Sequence, residues 1–407
     1  MDRPRVAVVG MGGFAQTHRR YVQEVEEREL AIQVAQVAIP ADQEAFPAEL
    51  EAMRRRNIDV FGSLREMLAQ ERERIDIVCI PTGIPLHRAM TVAALEAGCH
   101  VLVEKPAAGS VQDVDAMLAA ASRAERICAV GYQHVYQREY RLVKEWVCQG
   151  RLGAVRRVRC FGCWPRSPGY YARNGWAGRL AVGDTWVLDA PHNNALAHAV
   201  NAMLFMASAE PNKALRPATV RAELYRANAI ESADTAVLRV HTVEGPEVFF
   251  AVSHCTDQQI DPVYILEGDG GRLELSYSGE IRARFADGTT CEVAVKEQPR
   301  LVLEDVVETV AGHRDSLMCP LEMARMQTVC ACGTFESSGI HELPQSLKKT
   351  AGKEGTVVVQ GMTEAVRKAW SEASMFSELG IDWAIPGEEI QVTDYAYFPA
   401  HRRRTGE

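Results

Sequence analysis

The feature that most constrains the fold is a glycine pattern, G-x-G-x-x-A, near the start of the chain. It follows the apolar stretch Arg5–Val9 and precedes a stretch of helical composition that runs to about Arg28. Between a strand and a helix, Gly10 permits a tight turn, Gly12 lets the backbone approach a pyrophosphate, and Ala15 allows the helix to pack closely on the strand. The N-terminus of that helix would then face the phosphates. The pattern therefore predicts a dinucleotide-binding turn.

The second predicted strand, Ile32–Ala38, bears on the choice of cofactor. In dinucleotide-binding folds, an acidic residue about 20 residues after the glycines holds the adenosine ribose. This strand ends without an acid, because Ile39 follows it and Asp42 lies three residues further on. No arginine or lysine stands at this point to hold a 2′-phosphate. We therefore predict NAD or NADP as the cofactor, with NAD slightly favoured.

Strands and helices continue to alternate along the first third of the chain. After the second strand, helices are predicted near 42–56, 64–70, 85–97 and 110–124, and strands near 58–61, 75–80, 101–103 and 127–131. Strands regularly separated by helices indicate an α/β fold with a doubly wound parallel sheet. We therefore predict a dinucleotide-binding Rossmann domain over residues 1–131.

One of these strands, Val101–Val103, ends in two charged residues and a proline, Glu104-Lys105-Pro106. In open parallel sheets, ligands bind outside the carboxyl ends of the strands. A lysine held there is expected to be partly shielded from water, which lowers its pKa and suits it to proton transfer. An ordinary surface pair of charges has the same sequence, since charged strand ends are common. The glycine pattern upstream favours the functional interpretation.

The composition argues against several classes of partner. The 407 residues are 47% hydrophobic and 24% charged, and the net charge of −9 comes from interspersed positive and negative residues. This balance argues against nucleic acid as the main partner. No stretch reaches about 18 apolar residues and no signal-peptide core follows the N-terminus, so we expect a cytoplasmic protein with no membrane contact.

The cysteines are interpreted as reduced thiols. There are 11 of them, an odd and scattered set, which is typical of a reducing compartment. Cys160 and Cys163 form the one C-x-x-C pattern, but they lie in a predicted strand. Residues three apart on a strand point to opposite faces, which is a poor arrangement for one metal ion, so no metal site is predicted.

Further motifs, in the right order, give the chain a family resemblance. Besides the glycine pattern they are residues 76–82 (DIVCIPT) with His87, residues 97–106 (AGCHVLVEKP), Gly131-Tyr132-Gln133 and residues 150–153 (GRLG). Together they resemble the glucose–fructose oxidoreductase / inositol dehydrogenase / rhizopine-catabolism (Gfo/Idh/MocA) family of NAD(P)-dependent oxidoreductases. The resemblance covers roughly residues 1–345.

The resemblance implies roles for specific residues. Lys105 would be the active-site lysine between nicotinamide and substrate. Pro81, Thr82, His87, Glu104 and Gln133 would line the cofactor pocket. The residues expected to bind the cofactor are, together, Gly10, Gly12, Gly13, Phe14, Ala15, Ile39, Pro81, Thr82, His87, Glu104, Lys105 and Gln133.

The second half of the chain is expected to be the substrate-binding and oligomerisation domain of this family, over residues 132–386. Strands are predicted near 154–163, 234–242, 247–254, 263–267 and 272–277, and helices near 190–207, 303–311, 322–336 and 363–378. Asp-Gly pairs at 269–270 and 287–288 are hairpin signals. This pattern predicts an α+β domain with a large, mostly antiparallel open sheet.

The helices of that domain are expected to cover one face of its sheet and leave the other face free. In the family that face commonly pairs subunits, so a homo-oligomer, a dimer or tetramer, is expected. The polar stretch 345–355 has no pattern and is interpreted as a loop. The C-terminal tail, 387–407, contains Arg402-Arg403-Arg404, which is interpreted as a solvated chain end.

A second cluster that could carry chemistry begins at Asp189. The family pattern here is an aspartate with a histidine four residues later at the start of a helix, so that both side chains share one face. In this chain Asn193 occupies the histidine position. It cannot take up a proton at neutral pH, which leaves Lys105, Asp189, the adjacent His192 or a water to move it, and we favour Lys105. The alternative is that Asn193 is a buried or helix-capping amide, although Asn193→His is expected to be tolerated.

The stretch 170–179 contains two tyrosines, Arg173, Asn174 and Trp176. Aromatic rings pack on the C–H faces of sugars, and guanidinium and amide groups bind hydroxyls. A surface loop with buried aromatic anchors is the alternative. The residues expected to bind substrate are Lys105, Arg173, Trp176, Asp189 and Asn193, and those expected to act in catalysis are Lys105, Asp189, Asn193 and His192.

Three functions agree with these observations. The first is an NAD(P)-dependent dehydrogenase that transfers a hydride between nicotinamide and a hydroxyl-bearing carbon of a sugar, cyclitol or derivative. The second is a glycoside hydrolase or lyase that uses bound NAD for transient oxidation, which the altered Asp–His pattern keeps in view. The third is a dinucleotide-binding sensor without turnover. The retained Lys105 argues against the third, and the first is the prediction.

Overall fold

The computed structural model describes residues 3–295 and 301–400. The chain divides into two compact units, and neither is one continuous segment. The first unit comprises Met1–Ala108, Asp113–Tyr136 and Pro299–Ala324, and the second comprises Gly109–Gln112, Gln137–Gln298 and Arg325–Glu407. The domain boundaries predicted at 131/132 and 386/387 stay a prediction, and Arg402-Arg403-Arg404 lies outside the described residues.

The helices of the described residues, in chain order, are α1 (Ala15–Glu27), α2 (Pro40–Ala45), α3 (Pro47–Arg55), α4 (Leu64–Glu71), α5 (Ile84–Glu96), α6 (Val111–Ala124), α7 (Arg138–Cys148), α8 (Pro168–Ala172), α9 (Ala197–Ala207), α10 (Val302–Val310), α11 (Leu321–Ser337) and α12 (Met362–Glu372). The strands of the first unit are β1 (Arg5–Val9), β2 (Ile32–Val37), β3 (Asp59–Phe61), β4 (Ile77–Ile80), β5 (His100–Val103) and β6 (Cys128–Val130).

The strands of the second unit are β7 (Val155–Cys163), β8 (Ala181–Val182), β9 (Thr185–Trp186), β10 (Pro217–Arg226), β11 (Thr235–Thr242), β12 (Glu247–Ser253), β13 (Ile260–Gly268), β14 (Gly271–Ser276), β15 (Glu280–Phe285), β16 (Thr290–Ala294), β17 (Ile340–Glu342), β18 (Lys348–Ala351), β19 (Thr356–Val359) and β20 (Ile390–Gln391). No helix in the described ranges is long and apolar enough to cross a bilayer.

The first unit is built on a six-stranded sheet in the order β3-β2-β1-β4-β5-β6, with every pair parallel. This confirms the predicted Rossmann-type doubly wound sheet. The two central strands β1 and β4 are almost completely buried, because helices pack on both faces of such a sheet and apolar runs are needed on both sides of each strand. The carboxyl ends of the strands therefore share one edge, where the predicted cofactor residues stand.

The helix predicted at 42–56 is in fact two helices, α2 and α3, that meet at Phe46. Pro47 is the first residue of α3. A proline cannot donate the backbone hydrogen bond that a continuous helix needs, and it pushes the preceding residue out of the helical region. Phe46 accordingly has a non-helical ψ of 45°. Its ring lies near Gly12 of the glycine-rich loop, residues 10–15.

The second unit contains the predicted large sheet, in the order β16-β15-β14-β13-β7-β12-β11-β10-β17, with β20 also pairing β10. Most pairs are antiparallel, but β7 pairs β12 and β10 pairs β17 in parallel. This confirms the predicted mostly antiparallel sheet. Cys160 lies near Tyr264 and Cys163 lies near Thr256. The two cysteines are on opposite faces of the sheet, because side chains alternate along β7 and these positions are three apart.

The prediction of a free sheet face is wrong for the central strands. One face of β7 contacts α9, and the other contacts α12. On the α12 side, the Phe161 ring lies 4.5 Å from that of Trp370, and Arg159 donates to the carbonyl oxygens of Trp370 and Ser371. The apolar side chains that form this layer are Phe161, Tyr225, Val237, Phe249, Met362, Val366, Ala369 and Phe376. The C-terminal region of the chain thus covers the sheet face that was expected to bind another subunit.

Two further sequence-based expectations are wrong. The stretch 345–355 is not a simple loop, because β18 and β19 form an antiparallel hairpin around it. Gly352 and Gly355 both have positive φ there, which glycine adopts without strain. The helix predicted from 190 begins only at Ala197, after a series of turns over 191–196.

Candidate active site

The end of β5 places two charged residues in different environments. Glu104 is only 5% exposed, and its Oε1 lies 3.0 Å from Nε2 of His18 on α1. Its Oε2 accepts a hydrogen bond from the backbone N–H of Lys105, at 3.1 Å. Lys105 itself is half-buried. Because Glu104 is immobilised, the backbone that carries Lys105 is held in one position at the edge of the sheet.

Gly131, directly after β6, makes room for this carboxylate. A Cβ atom at position 131 would lie 2.5 Å from Oε1 of Glu104 and 2.9 Å from its carboxyl carbon. The backbone N–H of Gly131 donates to the carbonyl oxygen of Val103. The glycine of the Gly131-Tyr132-Gln133 motif is therefore required by the close approach of Glu104, a reason that the sequence pattern alone did not supply.

His87 joins the two loops that follow β4 and β5. Its Nε2 lies 2.9 Å from the carbonyl oxygen of Thr82 and its Nδ1 lies 2.9 Å from that of Pro106. Burial lowers the pKa of His87, while the two carbonyl contacts raise it by less. The neutral ring can donate to only one of the two oxygens. The structure thus brings Thr82, His87, Glu104 and Lys105 together, and it buries Pro81 beside them.

Gln133 and His134 follow the same strand end. Nε2 of Gln133 donates to the Tyr21 hydroxyl at 3.3 Å. Burial, and then the charge of Lys105, lower the pKa of His134 to about 4. His18 and His134 were not predicted as site residues. Only their positions in the sequence could have indicated them: His18 lies on the helix after the glycines, and His134 directly follows the Gly131-Tyr132-Gln133 motif.

The glycine-rich loop has the expected strand–turn–helix setting. Gly10 has a φ of +90° and donates its N–H to the carbonyl oxygen of Val37. A Cβ at Gly12 would lie 3.5 Å from the Phe46 ring, so the space over this glycine is bounded by an aromatic side chain. Gly13 also has positive φ, and Phe14 is exposed. Ala15 is buried and begins α1, which matches its predicted packing role.

A buried amide that the sequence did not single out holds this loop. Gln36 on β2 is completely buried, and its Nε2 donates to the carbonyl oxygen of Gly10 at 2.7 Å and to that of Val37 at 3.1 Å. Its Oε1 accepts from Gln33. A register shift in β2, which pairs Gln33 with Val6 but Ala35 with Ala7, allows the two glutamines to meet although they are three residues apart.

The end of β2 carries an apolar side chain where an acid was sought. Ile39 is 51% exposed, and Asp42 lies in the first turn of α2. Between α1 and α3 there is a groove of about 360 Å³ lined by Arg19, Phe46 and Glu49, among others. Arg19 is the one cation of this groove with no acidic partner within 4.0 Å in the described chain, since Arg20 pairs with Glu24 and Arg56 with Glu26.

Asp189 belongs to the second unit and is buried there. Its Oδ2 accepts from the backbone N–H of Gly178 at 2.5 Å, and its Oδ1 accepts from Nδ2 of Asn194 at 2.7 Å. It lies in the irregular segment before the turns of 191–196 and not on a helix, because α9 starts at Ala197. The expectation that positions 189 and 193 share a helix face is therefore wrong.

Asn193 has the buried-amide role that was the alternative. It is 1% exposed, and its Nδ2 donates to the carbonyl oxygens of Val187 at 3.3 Å and Leu188 at 3.1 Å. Its Oδ1 accepts from Nε2 of Gln327 at 3.1 Å. Both ends of the amide are therefore engaged within the protein, and they fix the turn that leads to Asp189.

His192 is buried in an apolar setting. Its ring centre lies 5.5 Å from that of Phe335, and burial lowers its pKa to about 3. Neither ring nitrogen has a hydrogen-bond partner within the described residues. The ring is therefore neutral over the ordinary pH range, and it packs against the apolar ring of Phe335.

The stretch around 170–179 lies near Asp189. Arg173 is exposed, and its guanidinium carbon lies 3.7 Å from the centre of the Tyr170 ring and 5.2 Å from that of Trp176. Burial raises the pKa of Tyr170, and the Asp189 charge raises it further, which places this ring within the field of that carboxylate. Arg173, Trp176 and Asp189 are thus neighbours in the second unit, whereas Lys105 belongs to the first.

Comparison with known proteins identifies the first unit. Residues 4–132 match the model of the oxidoreductase family with an NAD-binding Rossmann fold, named GFO_IDH_MocA. This part of the chain has the Rossmann fold that the family description names. This match agrees, over residues 4–132, with the family resemblance drawn from the motifs.

The chain is also similar to named relatives over part of its length. It is 33% identical to inositol 2-dehydrogenase 3 of Saccharopolyspora erythraea over 46% of this chain and 54% of that protein. It is 30% identical to D-glucoside 3-dehydrogenase of Escherichia coli K12 over 37% of this chain and 41% of that protein. The chain spans no more than about half the length of these curated relatives.

Among solved structures, the fold is similar to that of the WlbA dehydrogenase from Bordetella pertussis, in complex with NADH and UDP-GlcNAcA. The TM-score is 0.66 at 21% identity, and the match covers 82% of this chain and 95% of that one. At this identity the likeness concerns the fold alone. Because the match covers 82% of this chain, it extends beyond residues 4–132 into the second unit.

Proposed function

We propose that this protein is an NAD(P)-dependent oxidoreductase that transfers a hydride between nicotinamide and a hydroxyl-bearing carbon of a sugar, cyclitol or derivative. The observation that carries the proposal is the end of β5, where buried Glu104 holds the backbone of the half-buried Lys105 at the edge of the sheet. Ligands of such sheets bind at this edge. Relatives named as inositol and glucoside dehydrogenases support the reaction class.

Lys105 is the proposed acid–base residue. Bound NAD(P)⁺ supplies the hydride acceptor, and the substrate hydroxyl must lose its proton as the carbon is oxidised. Lys105 in its neutral form accepts that proton and returns it in the reverse direction. An amine at a strand end, partly withdrawn from water and fixed by its backbone, has the reach and chemistry that general base catalysis requires.

Residues of the second unit are proposed to orient the substrate. Asp189 accepts hydrogen bonds only, so it can orient a substrate hydroxyl through that group's proton. Arg173 and Trp176 offer a cation and an aromatic face to a polar ring. Asn193 is proposed as a positioning residue for the Asp189 turn, because its amide is engaged with Val187, Leu188 and Gln327. His192 is too deeply buried and too weakly basic to share the proton-transfer role.

The identity of the cofactor and the oligomeric state are also proposals. NAD is slightly favoured over NADP, although Ile39 takes the place of the acid that usually marks an NAD site. Gly10, Gly12, Gly13, Phe14 and Ala15 are proposed to bind its phosphates. A homo-oligomer stays a prediction, and its interface would have to lie outside the sheet area that α12 covers; sedimentation at micromolar protein would test it.

The transient-oxidation reaction is kept as a second candidate for one reason. Asn193 replaces the titratable group of the family pattern, so a simple dehydrogenase needs Lys105 to act alone in proton transfer. A hydrolase or lyase with tightly bound NAD would release an aglycone from a glycoside without net formation of NADH. This outcome differs from that of a dehydrogenase in a single assay.

The test is a turnover assay with matched variants. Purified protein is incubated with NAD⁺ or NADP⁺ and a panel of sugars, cyclitols and glycosides, and absorbance at the reduced-nicotinamide band is followed together with product release. Net reduction that depends on Lys105 is expected. Gly12→Val is expected to abolish binding of both cofactors in calorimetry while the protein stays folded, and unchanged binding would remove the glycine-loop assignment. Aglycone release without net reduction would favour the second candidate.

A further inference from the structure

Two arginines of the second unit lie against one tyrosine ring. The guanidinium carbon of Arg166 lies 4.7 Å from the centre of the Tyr170 ring, and that of Arg173 lies 3.7 Å from it. Each arginine also lies near a tryptophan, Arg166 at 5.3 Å from Trp164 and Arg173 at 5.2 Å from Trp176. Rings and cations therefore alternate along this surface. We call Arg166 and Arg173 the arginine pair.

The arginine pair has no acidic counterpart. Other arginines of the same unit are matched to carboxylates, such as Arg157 to Glu247 at 2.6 Å and Arg239 to Glu378 at 2.8 Å. Within residues 3–295 and 301–400, no carboxylate lies within 4.0 Å of either member of the pair. Both guanidinium carbons lie within 4.7 Å of one ring centre, so the two like charges repel each other, and a bound opposite charge would offset that repulsion. The missing opposite charge is the first sign of a ligand.

A buried histidine beside the pair is the second sign. His254 is 2% exposed, its ring centre lies 6.0 Å from that of Tyr170, and both ring nitrogens lack a hydrogen-bond partner in the described chain. Burial, and then the charges of Arg166 and Arg173, lower its pKa to about 3. The ring is therefore neutral and offers one N–H donor and one acceptor. A buried polar group that is left unpaired is costly. His254 differs from His192, whose ring lies against Phe335, because two guanidinium groups lie near His254, so an anion bound there would also satisfy its N–H.

From these contacts we propose that Arg166, Arg173 and His254 form a subsite for an anionic group carried by the substrate, a carboxylate or a phosphate attached to the sugar or cyclitol ring. The proposal rests on the proposed function for the rest of the substrate. It deepens that function from polyols in general to acidic derivatives. Both guanidinium groups of the subsite lie against the Tyr170 ring.

The geometry suits an anion better than a neutral hydroxyl. A guanidinium that lies against an aromatic ring keeps the N–H groups of its edge available, and these match two oxygens of a carboxylate or phosphate. Arg173 donates one N–H to the carbonyl oxygen of Tyr170 at 2.6 Å, which fixes its orientation and leaves its remaining donors for a ligand. Hydroxyl groups need neither two fixed cations nor the absence of a nearby carboxylate.

The subsite adjoins a residue of the same unit that is proposed to orient the substrate. Asp189, the proposed substrate-orienting residue, is one of the groups that raise the pKa of Tyr170. Its Oδ2 accepts from Gly178 of the same loop that carries Arg173. An anionic group bound by the arginine pair would therefore leave the adjoining ring hydroxyls close to Asp189. The pair would set which sugars bind and would not take part in proton transfer.

The test compares ligands that differ in charge and share a ring. D-Glucuronate and D-glucose 6-phosphate are titrated against D-glucose by calorimetry, with the full-length protein saturated with NADH. At least one of the two acids is expected to bind about 10- to 100-fold more tightly than glucose, the range for hydrogen bonds to a charged group. The preferred acid then identifies the source of the anion. If neither acid binds more tightly than glucose, the subsite is overturned.

The variants separate a ligand site from a structural stack. Arg166→Gln is expected to remove most of the preference for the acid and to leave glucose binding unchanged. Arg173→Gln, whose side chain is also proposed to contact the sugar ring, is expected to weaken acid binding far more than glucose binding. Arg173→Lys, which keeps the charge but not the two-pronged edge, should restore part of the acid binding. Arg179→Gln removes one exposed charge from the same loop and is the matched control, with no expected change. Equal losses for acid and glucose in folded Arg166→Gln and Arg173→Gln proteins would also overturn the subsite.

Failure of the subsite and failure of the proposed function are distinguishable. If nicotinamide-dependent oxidation is found for neutral sugars without any preference for acids, the oxidoreductase stands and the subsite falls. If an acid binds in a manner that depends on the arginine pair but no sugar reduces NAD⁺ or NADP⁺, the subsite stands and the reaction falls.

Discussion

The end of β5 in the first unit and the turn from Asp189 to Asn194 in the second unit were both expected to supply catalytic groups, but they differ in how their polar groups are used. At the end of β5, Glu104 is pinned so that Lys105 stands at the sheet edge, half-buried. In the turn, the amide of Asn193 is bound to its own chain and His192 is buried against Phe335. Polar residue type alone does not separate a group that serves a ligand from one that serves the fold.

The difference has a physical origin in the range of the contacts. The position of Lys105 follows from a short strand, its neighbours and the edge rule of parallel sheets. The role of Asn193 depends on Gln327, which is far away along the chain. Local pattern can predict the first kind of site and cannot predict the second. The predictions below test this contrast, beginning with the largest expected effect.

Lys105→Met should lower turnover by about two to four orders of magnitude, the usual scale for losing a general acid–base group. Methionine keeps most of the length of the side chain but cannot accept a proton. Cofactor binding measured by calorimetry should fall far less than turnover, which would place the main loss in the chemical step. The matched variant His192→Phe should retain most of the activity. A near-normal Lys105→Met enzyme, or an inactive but folded His192→Phe enzyme, would reverse the contrast between the two regions.

Asn193→Leu should reduce the free energy of unfolding by about 3–4 kcal/mol. The apolar side chain has a similar volume, but it removes the donor of the buried carbonyl oxygens of Val187 and Leu188, at about 1–3 kcal/mol for each group left unpaired. Gln327 loses one acceptor and keeps its bond to the carbonyl oxygen of His192. Urea unfolding monitored by tryptophan fluorescence measures the effect.

The Gln327 partner provides the control for Asn193. In a double-mutant cycle with Gln327→Leu, the two losses should be less than additive, because they share one hydrogen bond. Asn193→His was expected from the sequence to be tolerated, but the structure gives a reason to expect the opposite. The imidazole is larger and has fewer donors than the three bonds require. A fully stable Asn193→His protein would show that the turn can adapt to a catalytic histidine.

The sequence predicted the first unit in most of its elements because each has a local cause. Apolar strands buried on both sides, glycines at turns and short intervening helices leave few alternatives to a parallel doubly wound sheet. The division of the helix at 42–56 also had a local cause in Pro47, and its effect on Phe46 could have been expected. Such causes act within a few residues, so one sequence is enough to find them.

The second unit was predicted less well for the opposite reason. Its strands alternate between apolar and other residues, which shows that the two faces differ but not what covers each face. The covering of Phe161 and Phe249 by α12, Met362–Glu372, joins residues that are far apart along the chain, and periodicity cannot reveal such long-range packing. The arginine pair escaped notice similarly, since Arg166 acquires its meaning only beside Tyr170 and His254.

Gln36→Leu should weaken the glycine-rich loop by removing its buried support. Loss of the bonds to Gly10 and Val37 should cost about 2–3 kcal/mol in the free energy of unfolding and lower NAD(P) affinity several-fold, because the Gly10 carbonyl oxygen loses its donor. Thermal unfolding and calorimetric titration with NADH measure the two effects. Gln33→Leu, which removes only the bond to Gln36, is the control and should change affinity less. Unchanged affinity in Gln36→Leu would mean that the loop is held by its glycine geometry alone.

The smallest effect concerns pH, and it tests whether His192 belongs to the fold. Its pKa is lowered by burial to about 3 in the folded protein, whereas an unfolded histidine titrates near about 6.5. Between these values the unfolded chain binds the proton and the folded chain does not, so stability falls as the pH drops from about 6.5 towards about 3. The slope from this one group is about 1.4 kcal/mol per pH unit.

His192→Phe removes the titrating group and keeps an aromatic ring next to Phe335, so its stability should depend less on pH by about that slope. Denaturant unfolding of both proteins at pH 7.5, 6.0 and 5.0 measures the difference, with His254→Phe as a second buried histidine of the same behaviour. Parallel pH curves for wild type and His192→Phe would show that His192 can be protonated in the folded state, and the ring would then return to the list of groups able to move a proton.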